Sequence, residues 1–215
     1  MTQIFYIHPE HPQPRLIRHA VEIIRQGGLV ALPTDSSYAL AGHLGDKELL
    51  DRIRRIRGVD ERHLMTLMCA DLSQIATYAR VDNSVYRQLK ATTPGCYTFI
   101  LEGSRELPRR VLHPKRKTLG LRVPDHVLVQ ALLTELGEPL LTSTLILPGK
   151  TSDEEEAEPL NDSHEILDRL EHQLDLVIDA GPCSTAQTTV IDLVSGAPVL
   201  VRAGCGALAP FGLEG

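Results

Sequence analysis

Apolar residues follow two different spacings along this chain, and their alternation predicts a mixed α/β fold. Between Pro14 and Gly27 they recur every three or four residues, which is typical of a helix packed on one side. Residues 29–32 form an unbroken apolar run that ends at Pro33, as expected for a strand buried inside a sheet. The polar turn 34–37 follows the carboxyl end of this strand, where ligands bind in many α/β sheets.

The same two spacings continue to the end of the chain. Asp46 is predicted to cap a helix that runs through Arg57, and Asp125 to cap a later helix that Gly137 ends. Further helices are predicted at 72–78, 83–91 and 164–173, and strands at 4–7, 64–69, 97–101, 118–123, 140–146, 175–178, 188–194 and 199–202. The order of elements predicts a single domain over residues 1–215, an α/β (α+β) fold with a twisted mixed sheet flanked by helices.

Negative charge is concentrated in one part of the sequence. The formal net charge is −6, but residues 151–171 alone contain nine Asp or Glu and one Arg. We expect residues 149–163 to form a flexible acidic loop, because they contain too few apolar residues to offset the entropy of ordering. Such a loop would swing away from a bound anion or occupy a basic surface as a polyanion mimic, and an ordinary solvated segment is the alternative.

Positive charge is concentrated as well. Seven Lys or Arg lie within residues 105–122, against Glu106 alone. A cluster of this kind favours a phosphate-bearing partner, although an ordinary solvated loop has the same composition. The predicted RNA-binding residues of this cluster are Arg109, Arg110, Lys115, Arg116 and Lys117.

Composition narrows the function classes. The chain has three Phe, five Tyr and no Trp, so the aromatic platforms that stack single-stranded bases are not expected. The apolar runs are too short for a membrane helix and the amino terminus lacks a signal-peptide pattern, which predicts a cytoplasmic protein. The four cysteines are far apart without a C-x-x-C pair, so we expect four free thiols and no metal site.

Five segments together carry a resemblance to a known family. They read PTDSSYAL at 33–40, PGCYTFIL at 94–101, LGLRVPDH at 119–126, PLLTST at 139–144 and TTVID at 188–192. In order and spacing they resemble the YrdC-like superfamily over nearly the whole chain. The Ile-His-Pro start and the Thr-Leu-Met-Cys segment at 66–69 are most similar to its YciO branch.

The resemblance implies a deep pocket and a particular chemistry. Members of this superfamily include threonylcarbamoyl-AMP synthases, which join L-threonine, bicarbonate and ATP into an adenylate used to modify tRNA. It implies Mg²⁺-ATP as a possible substrate and no permanently bound cofactor. Carried onto this sequence, the catalytic residues are Arg57 and Thr144. The predicted ATP or phosphate contacts are Arg55, Arg57, Arg122, Ser143 and Arg202, and the predicted amino-acid contacts are Thr34 and Thr188.

Two departures from the family pattern predict weakened catalysis. The family's Lys-x-Arg falls on Arg57 and Val59 when the sequence is counted without gaps, whereas a two-residue slip would use Arg55 and Arg57. The family's Ser-x-Asn falls on Thr144 and Ile146. Arginine does not replace lysine at a tight phosphate site, and isoleucine cannot form a hydrogen bond.

Three functional hypotheses remain open from the sequence. The first is a nucleotide- and RNA-binding protein, with tRNA or double-stranded RNA as partner, since such RNA is bound through its backbone and shape. The second is an active synthase, and the third is a structural partner protein with a vestigial pocket. Single residues also have structural explanations: Arg57 suits a helix end and Thr188 suits a strand, whereas a half-buried Arg202 requires an anionic partner. The oligomeric state stays open.

Overall fold

Helices and strands alternate through residues 1–149 and 158–213, which the computed structural model describes. The helices are α1 (Pro14–Arg25), α2 (Lys47–Arg57), α3 (Leu72–Tyr78), α4 (Asn83–Thr92), α5 (Val127–Leu136) and α6 (Ser163–Leu170). The strands are β1 (Gln3–Tyr6), β2 (Val30–Leu32), β3 (Ala39–His43), β4 (Thr66–Met68), β5 (Tyr97–Glu102), β6 (Thr118–Arg122), β7 (Leu140–Thr144), β8 (Leu176–Asp179), β9 (Thr189–Asp192) and β10 (Val199–Arg202). Most predicted elements are present, with ends that agree with the prediction or differ from it by up to three residues.

All described strands belong to one mixed sheet. Its order is β1-β8-β2-β3-β7-β4-β6-β5-β9-β10. The strands β1, β8 and β2 are mutually parallel, as are β4 with β6 and β5 with β9, while the remaining neighbours are antiparallel. The predicted mixed sheet flanked by helices is confirmed.

Strand β2 shows how the core is divided between the two faces of the sheet. Ala31 packs into the cluster that includes the buried residues of α2, α3, α4 and α6, whereas Val30 and Leu32 pack into the cluster of α1 and α5. Successive side chains of a strand point to opposite faces, so apolar side chains fill both sides of β2. This double burial explains the unbroken apolar run that predicted a central strand.

Strand β3 was missed by the sequence prediction. Its five residues, Ala-Leu-Ala-Gly-His, contain only one residue larger than alanine before the histidine, so neither spacing rule detects it. The strand pairs antiparallel with β2 and with β7, and therefore lies in the middle of the sheet. Tertiary pairing determines this strand.

Helix caps explain where the helices begin and end. The carboxylate of Asp46 accepts a hydrogen bond from the Glu48 amide at 2.8 Å, and Gly137 ends α5 in the left-handed conformation, as predicted. The predicted cap Asp125 is wrong, because α5 begins after His126, which makes no side-chain cap hydrogen bond. The amide of Asp125 instead donates to Asp35 Oδ2 at 3.0 Å, which ties this loop to the turn after β2.

Two of the four cysteines are paired, so the expectation of four free thiols is wrong. Cys96 and Cys205 form a disulfide with their Cα atoms 5.9 Å apart, while Cys69 and Cys183 are free. The parallel pairing of β5 with β9, and the return of the chain after β10, bring the two residues together across 109 positions of sequence. Sequence spacing alone contains no sign of such a distant pair.

The acidic segment lies only partly within the described residues. Residues 150–157 of the predicted flexible loop lie outside them. At the described end, Leu160 is buried in the core and its amide donates to the Leu145 carbonyl at 3.0 Å. Asp162 then caps α6 through the Glu165 amide. Among the described helices, none is long and apolar enough to cross a membrane.

Candidate functional site

The turn after β2 is held by a buried ion pair. Arg122, at the end of β6, pairs with Asp35, and the two side chains are 6% and 10% exposed. The guanidinium also donates to Ser36 Oγ at 3.2 Å. Burial lowers the pKa of Arg122, and the neighbouring Asp35 carboxylate opposes this shift. Two predicted site residues, Arg122 and Thr34, are therefore committed to the architecture of the turn, since the Thr34 hydroxyl donates to the Ser37 carbonyl at 2.7 Å.

A small recess lined by hydroxyl groups lies against this turn. Its volume is about 20 Å³. Thr98 and Thr188 hydrogen-bond to each other at 2.8 Å in its wall. Gly120 lies close by, where a Cβ would be 2.6 Å from Thr66 Oγ1, so only glycine fits there without displacing a hydroxyl. The recess is lined by Ser36, Ser37, Tyr38, Ala39, Thr66, Met68, Thr98, Arg122, Thr142, Thr144 and Thr188.

The recess shares Thr66, Thr98, Thr144 and Thr188 with a larger cleft of about 610 Å³. Four arginines from different parts of the chain line this cleft: Arg57, Arg62, Arg116 and Arg202. Its remaining lining residues are His63, Leu64, Ile100, His113, Thr118, Ser143, Ile146, Gln187, Val190 and Val201, besides the four shared threonines. A volume of this size fits a small-molecule ligand.

The cleft collects five of the residues predicted for catalysis or substrate binding. Residues far apart in sequence meet there because α2 ends beside β7, and β9 and β10 pair next to β5. The five are Arg57, Ser143, Thr144, Thr188 and Arg202. The other predicted phosphate contact, Arg55, is exposed on α2 two residues before Arg57, and two residues correspond to more than half a helical turn.

Arg57 is the last residue of α2 and points across to β7. Its guanidinium donates to the Thr144 carbonyl and, at 3.3 Å, to Ser143 Oγ. Gly58 follows with φ of +64°, which lets the chain turn sharply there. Arginine at this helix end is favoured by the helix dipole, so its structural and chemical roles coincide.

Arg202 crosses from β10 toward Thr188, just before β9. Its Nη2 donates to the Thr188 carbonyl at 3.0 Å, and the same nitrogen lies 3.4 Å from the Thr188 hydroxyl. The Thr188 carbonyl thus accepts a hydrogen bond from the Arg202 guanidinium, for which the sequence analysis predicted an anionic partner. The bonded pair forms one wall of the cleft.

His63 is a site residue that the sequence analysis missed. Its Nε2 lies 3.1 Å from Ser143 Oγ. Burial, followed by the charges of Arg57 and Arg54, lowers its pKa from 6.5 to about 4, with a smaller opposing effect from Asp60. The available signal was its place three residues before β4, a strand next to two strands with predicted site residues. Arg62 and His113 were missed as lining residues as well.

The basic loop reaches the mouth of the cleft at one end. His113 and Arg116 line the cleft, while Lys115 and Lys117 are exposed next to them. His113 Nδ1 accepts hydrogen bonds from the amides of Lys115 and Arg116 at 3.3 and 3.1 Å, which fixes the loop's shape. Arg109 is exposed farther along, and Arg110 donates to the Gly45 carbonyl at 2.8 Å. Of the five predicted RNA-binding residues, Arg116 thus lines the cleft, and Arg110 is hydrogen-bonded to another part of the fold.

Comparison with known proteins gives this arrangement its family context. The model of the Sua5/YciO/YrdC family, described as telomere recombination, matches residues 22–204. The chain belongs to this family. YciO of Escherichia coli is 52% identical over 98% of this chain and its own full length, and the crystal structure of E. coli YciO superposes with a TM-score of 0.92. Both the resemblance predicted from the sequence and the fold are thus confirmed.

Some relatives with lower sequence identity have names or titles that state an activity or a bound ligand. Threonylcarbamoyl-AMP synthase of Bos taurus is 33% identical, over 88% of this chain and 68% of the relative. The structure of Pyrococcus abyssi Sua5 complexed with L-threonine superposes with a TM-score of 0.83 and 26% identity, covering 94% of this chain and 58% of Sua5. The relationship to the synthase family is therefore shown, while substrate and activity are matters for proposal.

Proposed function

We propose that this protein binds a nucleotide and a small amino acid in the arginine-lined cleft, with the amino acid against the threonine hydroxyls that the cleft shares with the recess, and with slow synthase chemistry between the two ligands. The convergence of Arg57, Arg62, Arg116 and Arg202 on one cleft is the observation that carries the proposal. Guanidinium groups bind phosphate oxygens by charge-assisted, often paired hydrogen bonds. Mg²⁺-ATP is the expected form of the nucleotide.

The hydroxyl groups at the border of the cleft and the recess support a ligand without net charge, because the recess itself, at about 20 Å³, has room for about one water molecule. Arg122 is already neutralised by Asp35, and the rest of the polar lining is hydroxyl groups. A zwitterionic amino acid with its own hydroxyl would match such a lining. The P. abyssi relative was solved with L-threonine, and the cattle relative is named for threonylcarbamoyl-AMP synthesis. Threonine is therefore the amino acid that we propose.

We propose slow turnover because two positions of this chain differ from the family's catalytic pattern. Ile146 lines the cleft at the position where the family pattern has an amide donor. Val59 is an aliphatic residue whose amide donates to the Arg54 carbonyl. Each lost donor to the developing charge typically costs on the order of 10² to 10³ in rate. Binding with little turnover is therefore our first proposal, and a fully active synthase is the alternative.

Binding of RNA is a second proposed function, supported by the rim of the cleft. Lys115, Arg116 and Lys117 are consecutive, exposed and adjacent to the mouth. An RNA backbone held there, from tRNA or a double-stranded region, would lie across the opening of the nucleotide cleft. Because the ligands are ATP and RNA, we propose the cytoplasm as the location.

Calorimetric titration with Mg²⁺-ATP tests the first proposal. We expect Arg202→Ala to weaken binding about tenfold or more, because a charge-assisted hydrogen bond is lost. Arg55→Ala should leave the affinity unchanged, as should Arg169→Ala on the surface of α6. Absence of ATP binding, or a loss with Arg55→Ala as large as with Arg202→Ala, would reject this assignment of the cleft.

A further inference from the structure

Arg57, Ser143 and His63 form a short hydrogen-bonded chain in the wall of the cleft. Arg57 Nη1 lies 3.3 Å from Ser143 Oγ, and His63 Nε2 lies 3.1 Å from the same oxygen on its other side. All three residues line the cleft, so a ligand bound there can contact each of them.

The direction of the hydrogen bonds between Arg57, Ser143 and His63 depends on which atoms can accept a hydrogen. A guanidinium only donates hydrogen bonds, so Ser143 Oγ accepts from Arg57. Its own hydrogen then goes to Nε2 of His63, the other described group within hydrogen-bond distance. This holds for the neutral imidazole with its hydrogen on Nδ1, whereas the second lone pair of the Ser143 oxygen accepts from Nε2–H in the other protonation states. The lowered pKa of His63 favours the neutral form, and the contact with Ser143 is compatible with it.

Charges around His63 favour the same state. Burial is the largest effect that lowers its pKa to about 4, and Arg57 and Arg54 of α2 add to it, while Asp60 of its own loop opposes them. The cleft lining adds Arg62 beside it, His113 and Arg116 from the basic loop, and Arg202 from β10. An anion in the cleft would introduce opposite charge and favour the protonated imidazole.

We propose that His63 is the proton acceptor of this cleft, and that binding of a phosphate-bearing ligand beside Arg57 draws a proton onto its Nε2. The proton comes from solvent and occupies the Nε2 lone pair. The Ser143 hydroxyl rotates to accept from the new Nε2–H and directs its own hydrogen to an oxygen of the bound ligand, and no covalent bond to carbon, oxygen or phosphorus changes. The inference deepens the proposed function, because it concerns the same ligand in the same cleft.

The gain for the site is a positive charge that exists only with the ligand bound. The family pattern has polar residues where this chain has Val59 and Ile146, and a protonated His63 would restore a cation to the cleft. By linkage, the ligand must bind more tightly as the pH falls from 7 toward the pKa of the empty state, by up to about tenfold per pH unit.

Nuclear magnetic resonance of ¹⁵N-histidine-labelled protein tests the proposal. The resonances of His63 are identified from His63→Gln, and the pH is varied from about 3 to about 8 without ligand, with sulfate, and with a non-hydrolysable ATP analogue. Sulfate is included because its charge does not change over this range. We expect a neutral Nδ1–H imidazole in the free protein, and a midpoint at least about one pH unit higher with sulfate.

The affinity for sulfate provides a second readout. It should rise as the pH falls from 7 to 5 in the wild type and stay flat in His63→Gln, apart from any contribution of other groups. His113→Gln removes another imidazole from the same cleft and is expected to keep the upward shift of His63.

Three results would overturn the inference: a free protein with hydrogen on Nε2, a free protein whose His63 titrates near its ordinary value, or anion binding that leaves the midpoint unchanged. Sulfate binding with the shift, combined with no binding of the ATP analogue, would retain the inference and reject the nucleotide function. Failure of both anions to bind would contradict both proposals.

Discussion

The recess and the cleft share four threonines, yet their arginines differ in burial and in how their positive charge is compensated. In the recess, Arg122 is fully enclosed and its charge is met by Asp35 of the same chain. In the cleft, Arg62 and Arg116 are exposed, and the carboxylate that lies 3.9 Å from Arg62, that of Asp60, is exposed as well. A buried charge requires a partner within the protein, whereas a cation at a solvent-filled opening can be offered to a ligand. The buried ion pair at the recess therefore stabilises the turn, whereas the exposed arginines of the cleft favour the binding of anions.

The largest expected effect concerns the recess. Asp35→Asn removes the carboxylate and leaves Arg122 buried with its charge uncompensated, which should lower the free energy of unfolding by about 3 to 5 kcal/mol. Urea denaturation measures the loss. Glu165→Gln breaks the exposed pair with Arg169 and is the matched control, expected to cost less than about 1 kcal/mol. Equal losses in the two variants would show that the Asp35–Arg122 pair is no more important than a surface pair.

The next effect concerns catalysis in the cleft. Val59→Arg combined with Ile146→Asn restores both polar positions of the family pattern and should raise threonine-dependent pyrophosphate release on the order of 10²-fold. Ile146→Asn alone should carry part of the gain, because Ile146 lines the cleft. A double variant that folds and binds ATP but gains no activity would refute either the gapless alignment or the synthase chemistry.

The next effect concerns the pH dependence of the free energy of unfolding, to which His63 in the cleft contributes. The pKa of His63 is lowered from 6.5 to about 4 in the folded state, so the unfolded chain takes up this proton first. The contribution is complete above about pH 6.5 and is lost as the pH falls toward 4, by about 3 kcal/mol. His63→Gln should remove this part of the acid sensitivity, measured as the difference between the two urea denaturation curves at each pH. Parallel pH profiles would exclude a depressed pKa.

The smallest expected effect concerns the rim. Lys115→Ala and Lys117→Ala should each weaken RNA binding a few-fold and reduce its dependence on salt by about one counterion. Filter binding at several salt concentrations gives the slope. Arg109→Ala, on the part of the basic loop away from the cleft, should change both less. RNA affinity that is independent of salt would rule out a phosphate-backbone contact at the rim.

The sequence by itself determined most elements of the fold and the family. Helical and strand spacing are local, so the end of α2 at Arg57, the whole of α3 and the whole of β10 agree with the prediction. Five short segments were sufficient to indicate the family because their order and spacing match together, although any one of them alone is unspecific. Local sequence also indicated that cations and hydroxyls would form the site.

Tertiary structure decided which of these groups meet and what state they adopt. Strand β3 exists because β2 and β7 offer hydrogen bonds on both sides, and Cys96 meets Cys205 because the sheet brings together positions 109 residues apart. Pairing with Asp35 committed Arg122 to the turn, and burial next to Arg57 and Arg54 lowered the pKa of His63. Hydrogen-bond partners and desolvation depend on neighbours that are distant along the chain, and no local pattern of residues records them.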